Sequence, residues 1–101
     1  ESVRGYLVDI CRATRNHGSV AVGVSPRATL NLYFACRVLA ALDGRGYVLP
    51  DDIKHLAQPV LSHRIILHPQ ERIRGLTSAE VVREIVAAME TPEIRRGEAY
   101  G

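Results

Sequence analysis

The tightest constraint on this 101-residue chain lies between Gly23 and Gly46, in the run GVSPRATLNLYFACRVLAALDGRG. Ser25 is placed to cap a helix, because its hydroxyl can accept from backbone N–H groups that the first turn leaves free. Pro26 follows at the first helical position, where a missing N–H costs nothing and a fixed φ suits the turn. Gly44 supplies a left-handed exit just past Asp43. Between these signals the chain is apolar nearly all round, through Ala28, Leu30, Leu32, Phe34, Ala35, Val38, Leu39, Ala41 and Leu42. Such a helix needs other elements wrapped around it and reads as the centre of a small bundle. Arg27, Asn31, Arg37 and Asp43 leave no apolar run of about 18 residues, so it does not read as a membrane span.

Arg27 is out of place in this run. It falls in the first turn, where free N–H groups and the helix dipole already make the surroundings positive. A cation there costs roughly 0.3–1 kcal/mol unless an anion comes to meet it. Two readings are open: a solvated arginine that carries this small penalty, or a guanidinium that joins the helix terminus in holding a phosphate.

Around this helix the chain divides into short segments. Val3, Tyr6, Leu7, Ile10, Cys11 and Thr14 recur at three- and four-residue spacing, which predicts an amphipathic helix over 2–16 with Arg4, Asp9, Arg12 and Arg15 outside. Gly18 ends it, and 19–24 reads as a small-residue loop. Tyr47-Val48-Leu49 reads as a short strand paired with Arg64-Ile65-Ile66-Leu67, closing one end of the bundle. Pro50-Asp51-Asp52 opens a third helix through Leu61, with two acids suiting its dipole and Pro59 set to kink or shift its last turn. His68-Pro69 reads as a turn and 70–75 as polar connection. Leu76-Thr77-Ser78-Ala79-Glu80-Val81 is a capping box with a hydrophobic staple, opening a helix whose inner positions are Val82, Ile85, Val86 and Met89. Thr91-Pro92 stops it, and 93–101 reads as a flexible tail. The fold class expected is all-α: a small four-helix bundle over 1–92 with a minor two-stranded β element.

Composition narrows the chemistry. One domain's worth of residues with 47% apolar content should bury a modest core. A net charge of +2 is little invitation to a polyanion, although twelve arginines stand against the single Lys54. Cys11 and Cys36 both fall on apolar faces and read as buried free thiols. His17, His55, His63 and His68 match no metal-ligand spacing, so no metal site is expected. No phosphate-binding G-x-x-x-x-G-K-[ST] loop is present, so any phosphate contact here is accessory to a site elsewhere. No leader or apolar 20-mer appears, giving a cytoplasmic reading. The chain opens at Glu1 inside a helical pattern, as a piece of something longer would.

Gly23-Val24-Ser25-Pro26-Arg27-Ala28 resembles the second-sensor motif of AAA+ ATPases in its MoxR-family form. YLVDICRATR (6–15), ALDGRGYVLPDDI (41–53) and VLSHRIIL (60–67) resemble that family's C-terminal lid domain in order and spacing, so the likeness covers about residues 3–90. It implies a lid that closes over ATP, with Arg27 as the catalytic sensor arginine and Gly23, Ser25, Pro26 and Arg27 as the nucleotide-binding set. It also implies ATP and Mg2+ bound by the parent protein and not by this segment alone, which would have no activity by itself. The implied partners are the N-terminal nucleotide-binding domain of the same protein, neighbouring subunits of a chaperone-like ring, hexameric in form, and proteins with von Willebrand A-type domains. One departure is Leu49, where the family has Thr or Ser before Pro-Asp-Asp. His63-Arg64 also fits the family pattern, as an interface contact. The alternative from another class is a free-standing helical nucleic-acid-binding or adaptor module, although no arginine stripe marks a recognition helix.

Overall fold

The buried residues of the first helix, Val3, Tyr6, Leu7, Ile10, Cys11 and Thr14, are those its periodicity selects, and they form one wall of the core. The computed structural model describes residues 2–89. Along the chain run α1 (Ser2–Asn16), β1 (Val20–Val22), α2 (Pro26–Leu42), α3 (Pro50–Leu61), β2 (Ile66–Leu67), α4 (Pro69–Ile73) and α5 (Ser78–Ala88). The architecture is the expected mostly helical bundle, with five helices among the described residues where the sequence predicts four. α2 packs chiefly on α3 and α3 on α5, while α1 touches α2, α3, α5 and β1. Ile53, Ala57 and Leu61 of α3 meet Val81, Val82 and Ile85 of α5 and Leu32 and Cys36 of α2 in a single apolar cluster. Both thiols lie inside it. Desolvation pushes each one up, Cys36 to about 12, so neither ionises at neutral pH.

Four expectations give way. The segment 19–24 is not all loop: its Val20–Val22 stretch is β1, antiparallel to β2 with Val20 opposite Leu67 and Val22 opposite Ile66. Two residues on β1 advance against one on β2, so the ladder is irregular there. Tyr47-Val48-Leu49 is correspondingly not a strand, because side chains have taken its backbone groups. The Tyr47 carbonyl accepts from the Arg45 guanidinium at 3.1 Å, and the Leu49 N–H donates to Asp52 at 2.8 Å. The polar connection 70–75 contains α4, which Pro69 starts and Gly75, at φ +92°, ends. Finally, α2 is not surrounded. It buries Ala28, Leu32, Cys36 and Ala40, every fourth residue, and leaves Leu30, Phe34, Val38 and Leu42 more than half exposed.

The junction from α2 to α3 is fastened by Arg45. Its guanidinium meets Asp52 through two bonds of 2.7 and 2.8 Å and reaches Asp43 at 3.0 Å. Asp52 in turn accepts the Leu49 N–H, so one carboxylate caps α3 and closes the connection. The other half of a capping box is missing, because Leu49 offers no acceptor to the first turn. At the start of α5, Thr77 caps the Glu80 N–H at 3.2 Å, but Glu80 returns to the Thr77 hydroxyl at 2.9 Å rather than to its backbone. Pro59 sits in the last turn of α3, which ends two residues later at Leu61. The expected stop at Thr91-Pro92, the limit at 92 and the tail over 93–101 lie outside the described residues.

Hydrogen bonds from Arg45 hold the Asp52 carboxyl below its ordinary value, against the desolvation that pushes it up. A depressed carboxyl contributes stability that is complete above the unfolded value of about 4 and lost as pH falls through the lower folded value. Asp52→Asn leaves Arg45 with only the exposed Asp43 as a charged partner and should cost about 3 kcal/mol in urea unfolding at neutral pH. The gap to wild type should narrow steadily below about pH 4; a gap constant through that range would mean the charge of Asp52 is not what stabilises. Leu49→Thr supplies the missing acceptor and should add roughly 0.5–1 kcal/mol. A lower urea midpoint for that variant would show that the half-buried Leu49 side chain outweighs the cap.

Candidate functional site

The segment that resembles a sensor motif is clamped onto the end of α1. Thr14, fully buried, donates its hydroxyl to the Cys11 carbonyl at 2.6 Å and accepts the Val24 N–H at 2.9 Å. Arg15 donates to the Val24 carbonyl at 3.0 Å. Both polar backbone groups of Val24 are thereby held by consecutive residues of one helix. Gly23 passes so close that a Cβ there would stand 2.6 Å from the Arg15 Cα, well inside contact distance. His17 completes the support: its Nδ1 accepts from the Ser19 N–H at 3.1 Å while Nε2 lies 3.3 Å from Glu84 on α5. That acceptor role puts the ring proton on Nε2, facing the carboxylate.

From this clamp α2 begins as its sequence dictates. Ser25 has extended backbone, φ −75° and ψ 161°, and its Oγ accepts the Ala28 N–H at 3.2 Å. The Ser25 carbonyl takes the Thr29 N–H at 3.0 Å and the Thr29 hydroxyl at 3.1 Å. Pro26 has no N–H to satisfy. A helix start normally leaves several donors free; here Arg27 alone keeps an unpaired backbone N–H among 26–29. Its guanidinium is exposed and makes no hydrogen bond or ion pair with any described residue. The first turn of α2 holds no acid, whereas α3, α4 and α5 carry Asp51 and Asp52, Glu71, and Glu80 in theirs. The terminus therefore presents a positive end, an N–H and a guanidinium together, which nothing among the described residues neutralises.

Of the sequence-derived set, the structure brings Gly23, Ser25, Pro26 and Arg27 into one loop-to-helix turn, where the first three shape the backbone and Arg27 faces outward. Thr14 and Arg15 were read as positions on two faces of an amphipathic helix; their grip on Val24 was missed. A polar residue in the buried phase of such a helix is the signal that could have found Thr14. His63 and Arg64 are exposed, just before β2. Among the described residues no three His, Cys, Asp or Glu side chains gather as a metal site, and no helix is long and apolar enough to cross a membrane.

Comparison with known proteins gives the frame for this geometry. The AAA lid domain family matches residues 12–85. The uncharacterised YeaC protein of Bacillus subtilis (strain 168) is 44% identical over 92 residues, covering 91% of this chain and 29% of its own length. Chaperone MoxR1 of Mycobacterium tuberculosis is 33% identical over 98 residues, covering 88% of this chain and 26% of its own. A candidate ATPase of known crystal structure from Cytophaga hutchinsonii superposes with a TM-score of 0.86 at 29% identity, over 92% of this chain and 31% of that one. This chain belongs to the AAA lid domain family. Its relatives make it a lid of the MoxR type, and it spans less than a third of the length of each of these proteins.

Thr14→Val keeps the volume and removes the hydroxyl, leaving the Val24 N–H buried without a partner. The expected cost is about 1–3 kcal/mol in chemical denaturation, with Thr14→Ser close to wild type. Loss in Thr14→Ser with Thr14→Val close to wild type would assign the effect to packing of the methyl group and not to the hydrogen bond.

Proposed function

We propose that this segment is the lid of a cytoplasmic, ring-forming, chaperone-like ATPase, closing over ATP and presenting Arg27 to its terminal phosphates as the second-sensor arginine. ATP and its Mg2+ are held by the nucleotide-binding domain of the same protein, and lid movement passes the nucleotide state to neighbouring subunits of a hexameric ring. Proteins with von Willebrand A-type domains are its proposed clients or partners. One observation carries the reading: Arg27 is exposed, has no partner among the described residues, and is set at a helix start whose remaining free donor is its own N–H.

The chemistry follows from that placement. A guanidinium gives two charge-assisted hydrogen bonds to adjacent phosphate oxygens, and the helix terminus adds a backbone donor and a favourable dipole. Negative charge that grows on the transferring phosphoryl group and the leaving oxygen is then met by a fixed cation. Gly23, Ser25 and Pro26 act through geometry, holding Arg27 in the first turn; the first also lets the loop lie against α1.

Arg27→Ala tests this in two settings. In the lid itself it removes a cation from a positive terminus, so the melting temperature should stay the same or rise slightly. In the full-length protein it should cut ATP turnover by roughly 10- to 1,000-fold. A markedly lower melting temperature would place Arg27 in an internal ion pair. Full turnover in a stable protein would remove it from the nucleotide site.

A further inference from the structure

β2 is paired on one edge only, by β1. Ile65 and Leu67 are buried while Ile66 between them is 55% exposed, the alternation of an extended segment. The His68 N–H donates to the Ser19 carbonyl at 3.0 Å, so the backbone of His68 turns toward β1. Backbone groups alternate in direction along an antiparallel strand, which turns the N–H and C=O of Leu67, and those of Ile65, the other way. Neither α4, α5 nor the connection between them offers any of these four groups a hydrogen bond. A groove of about 480 Å3 lies on this side, with Ile65, Ile66 and Leu67 in one wall and Arg72, Leu76 and Ser78 in the other. Its charge has one sign. Arg72 is exposed and makes no hydrogen bond or ion pair among the described residues, and no acid lines the groove. The acids close to it in sequence are engaged elsewhere. Glu71 lies 3.4 Å from the Ser19 hydroxyl and 3.6 Å from Arg74, and Glu80 accepts from Thr77 at 2.9 Å.

We infer that an extended, acidic segment of another protein binds in this groove as a third strand beside β2, its backbone on Leu67 and Ile65 and a carboxylate on Arg72. Arg27 and its turn take no part in it. Groups that recur on one edge of a strand about 7 Å apart match the free edge of a second extended chain, which is how a sheet edge takes up a peptide. Main-chain bonds then supply register, and the guanidinium selects a segment that carries negative charge. A nucleic acid would offer Arg72 a phosphate but has no peptide groups to continue the ladder. A second copy of this chain would add its own Arg72 to a groove that already holds one, with no acid to separate them. Charge and backbone together therefore select an acidic peptide.

The test uses the full-length protein and a fluorescein-labelled octapeptide of alternating valine and glutamate, followed by anisotropy. The expected result is a dissociation constant below about 1 mM, with hydrogen exchange of the Leu67 amide slowed when the peptide is bound. Arg72→Glu, at an exposed position with no bond to break, should weaken binding by about tenfold or more. The same peptide methylated at every backbone nitrogen keeps its charge but cannot donate to the ladder, and it too should bind about tenfold or more weakly. No binding up to about 1 mM overturns the inference. Undiminished binding by Arg72→Glu, by the methylated peptide or by a valine–lysine octapeptide also overturns it. So does an unchanged Leu67 amide in the bound state, since the peptide then sits elsewhere. Protection of that amide by an oligothymidylate, or by raising the protein concentration with no peptide present, assigns the groove to nucleic acid or to a second copy and overturns it as well.

Discussion

Thr14 decides where α2 starts. Its hydroxyl lies wholly inside the core and has one donor and one acceptor use, both taken: the Cys11 carbonyl and the Val24 N–H. A buried polar group left without a partner costs about 1–3 kcal/mol, so the loop cannot drift from α1 without paying that cost. Arg15 holds the other side of the same peptide, and the missing Cβ of Gly23 lets the strand of backbone come close enough for either bond to form. With Val24 pinned, Ser25 caps, Pro26 follows, and the direction of Arg27 is settled by a helix that comes earlier in the chain.

The features legible from sequence were those whose causes are local. Ser25-Pro26 and Thr77 announce helix starts through their own side chains, and the phase of Val3, Tyr6, Leu7 and Ile10 gives the buried side of α1. The strands were legible only in part. Ile66-Leu67 reads as a strand from sequence, but the partner the sequence suggests is Tyr47–Leu49, a segment with β propensity, and the observed partner is Val20–Val22. Arg45 and Asp52 bond its Tyr47 carbonyl and Leu49 N–H, and no rule of spacing reveals that competition. Val20–Val22 passed as loop because three residues between glycine-bearing turns leave no room for a period to show. The apolar circumference of α2 was plain, yet apolar composition does not say which face finds a neighbour. At the site, Arg27 stood out twice, through the dipole and through the motif, while the Thr14–Val24 bond needed coordinates.

Two arginines show how context divides one residue type into separate tasks. Arg45 meets a planar carboxylate with its planar fork and gains a second carboxylate at Asp43, which makes the α2–α3 junction rigid. Arg27 sits at the other end of the same helix with no acid in the turn, where its charge slightly opposes folding. One guanidinium is neutralised at the α2–α3 junction, and the other faces outward at the helix start. On the proposed reading, stability and binding fall at opposite ends of α2.

On the proposed reading, the weakness of the Arg27 contact is part of how the lid works. A charge-assisted hydrogen bond is worth about 1.5–3 kcal/mol, and one guanidinium with one N–H reaches a dissociation constant no better than about millimolar. That is too little to bind nucleotide unaided and enough to bias a closed state that other contacts already bring near balance. A ligand moves a two-state equilibrium only by its difference in affinity for the two states. Losing the terminal phosphate would withdraw a few kcal/mol from the closed form, a change of ten- to a few-hundred-fold in its population. Those other contacts would hold the domains near that balance point, and Arg27 would then tip it.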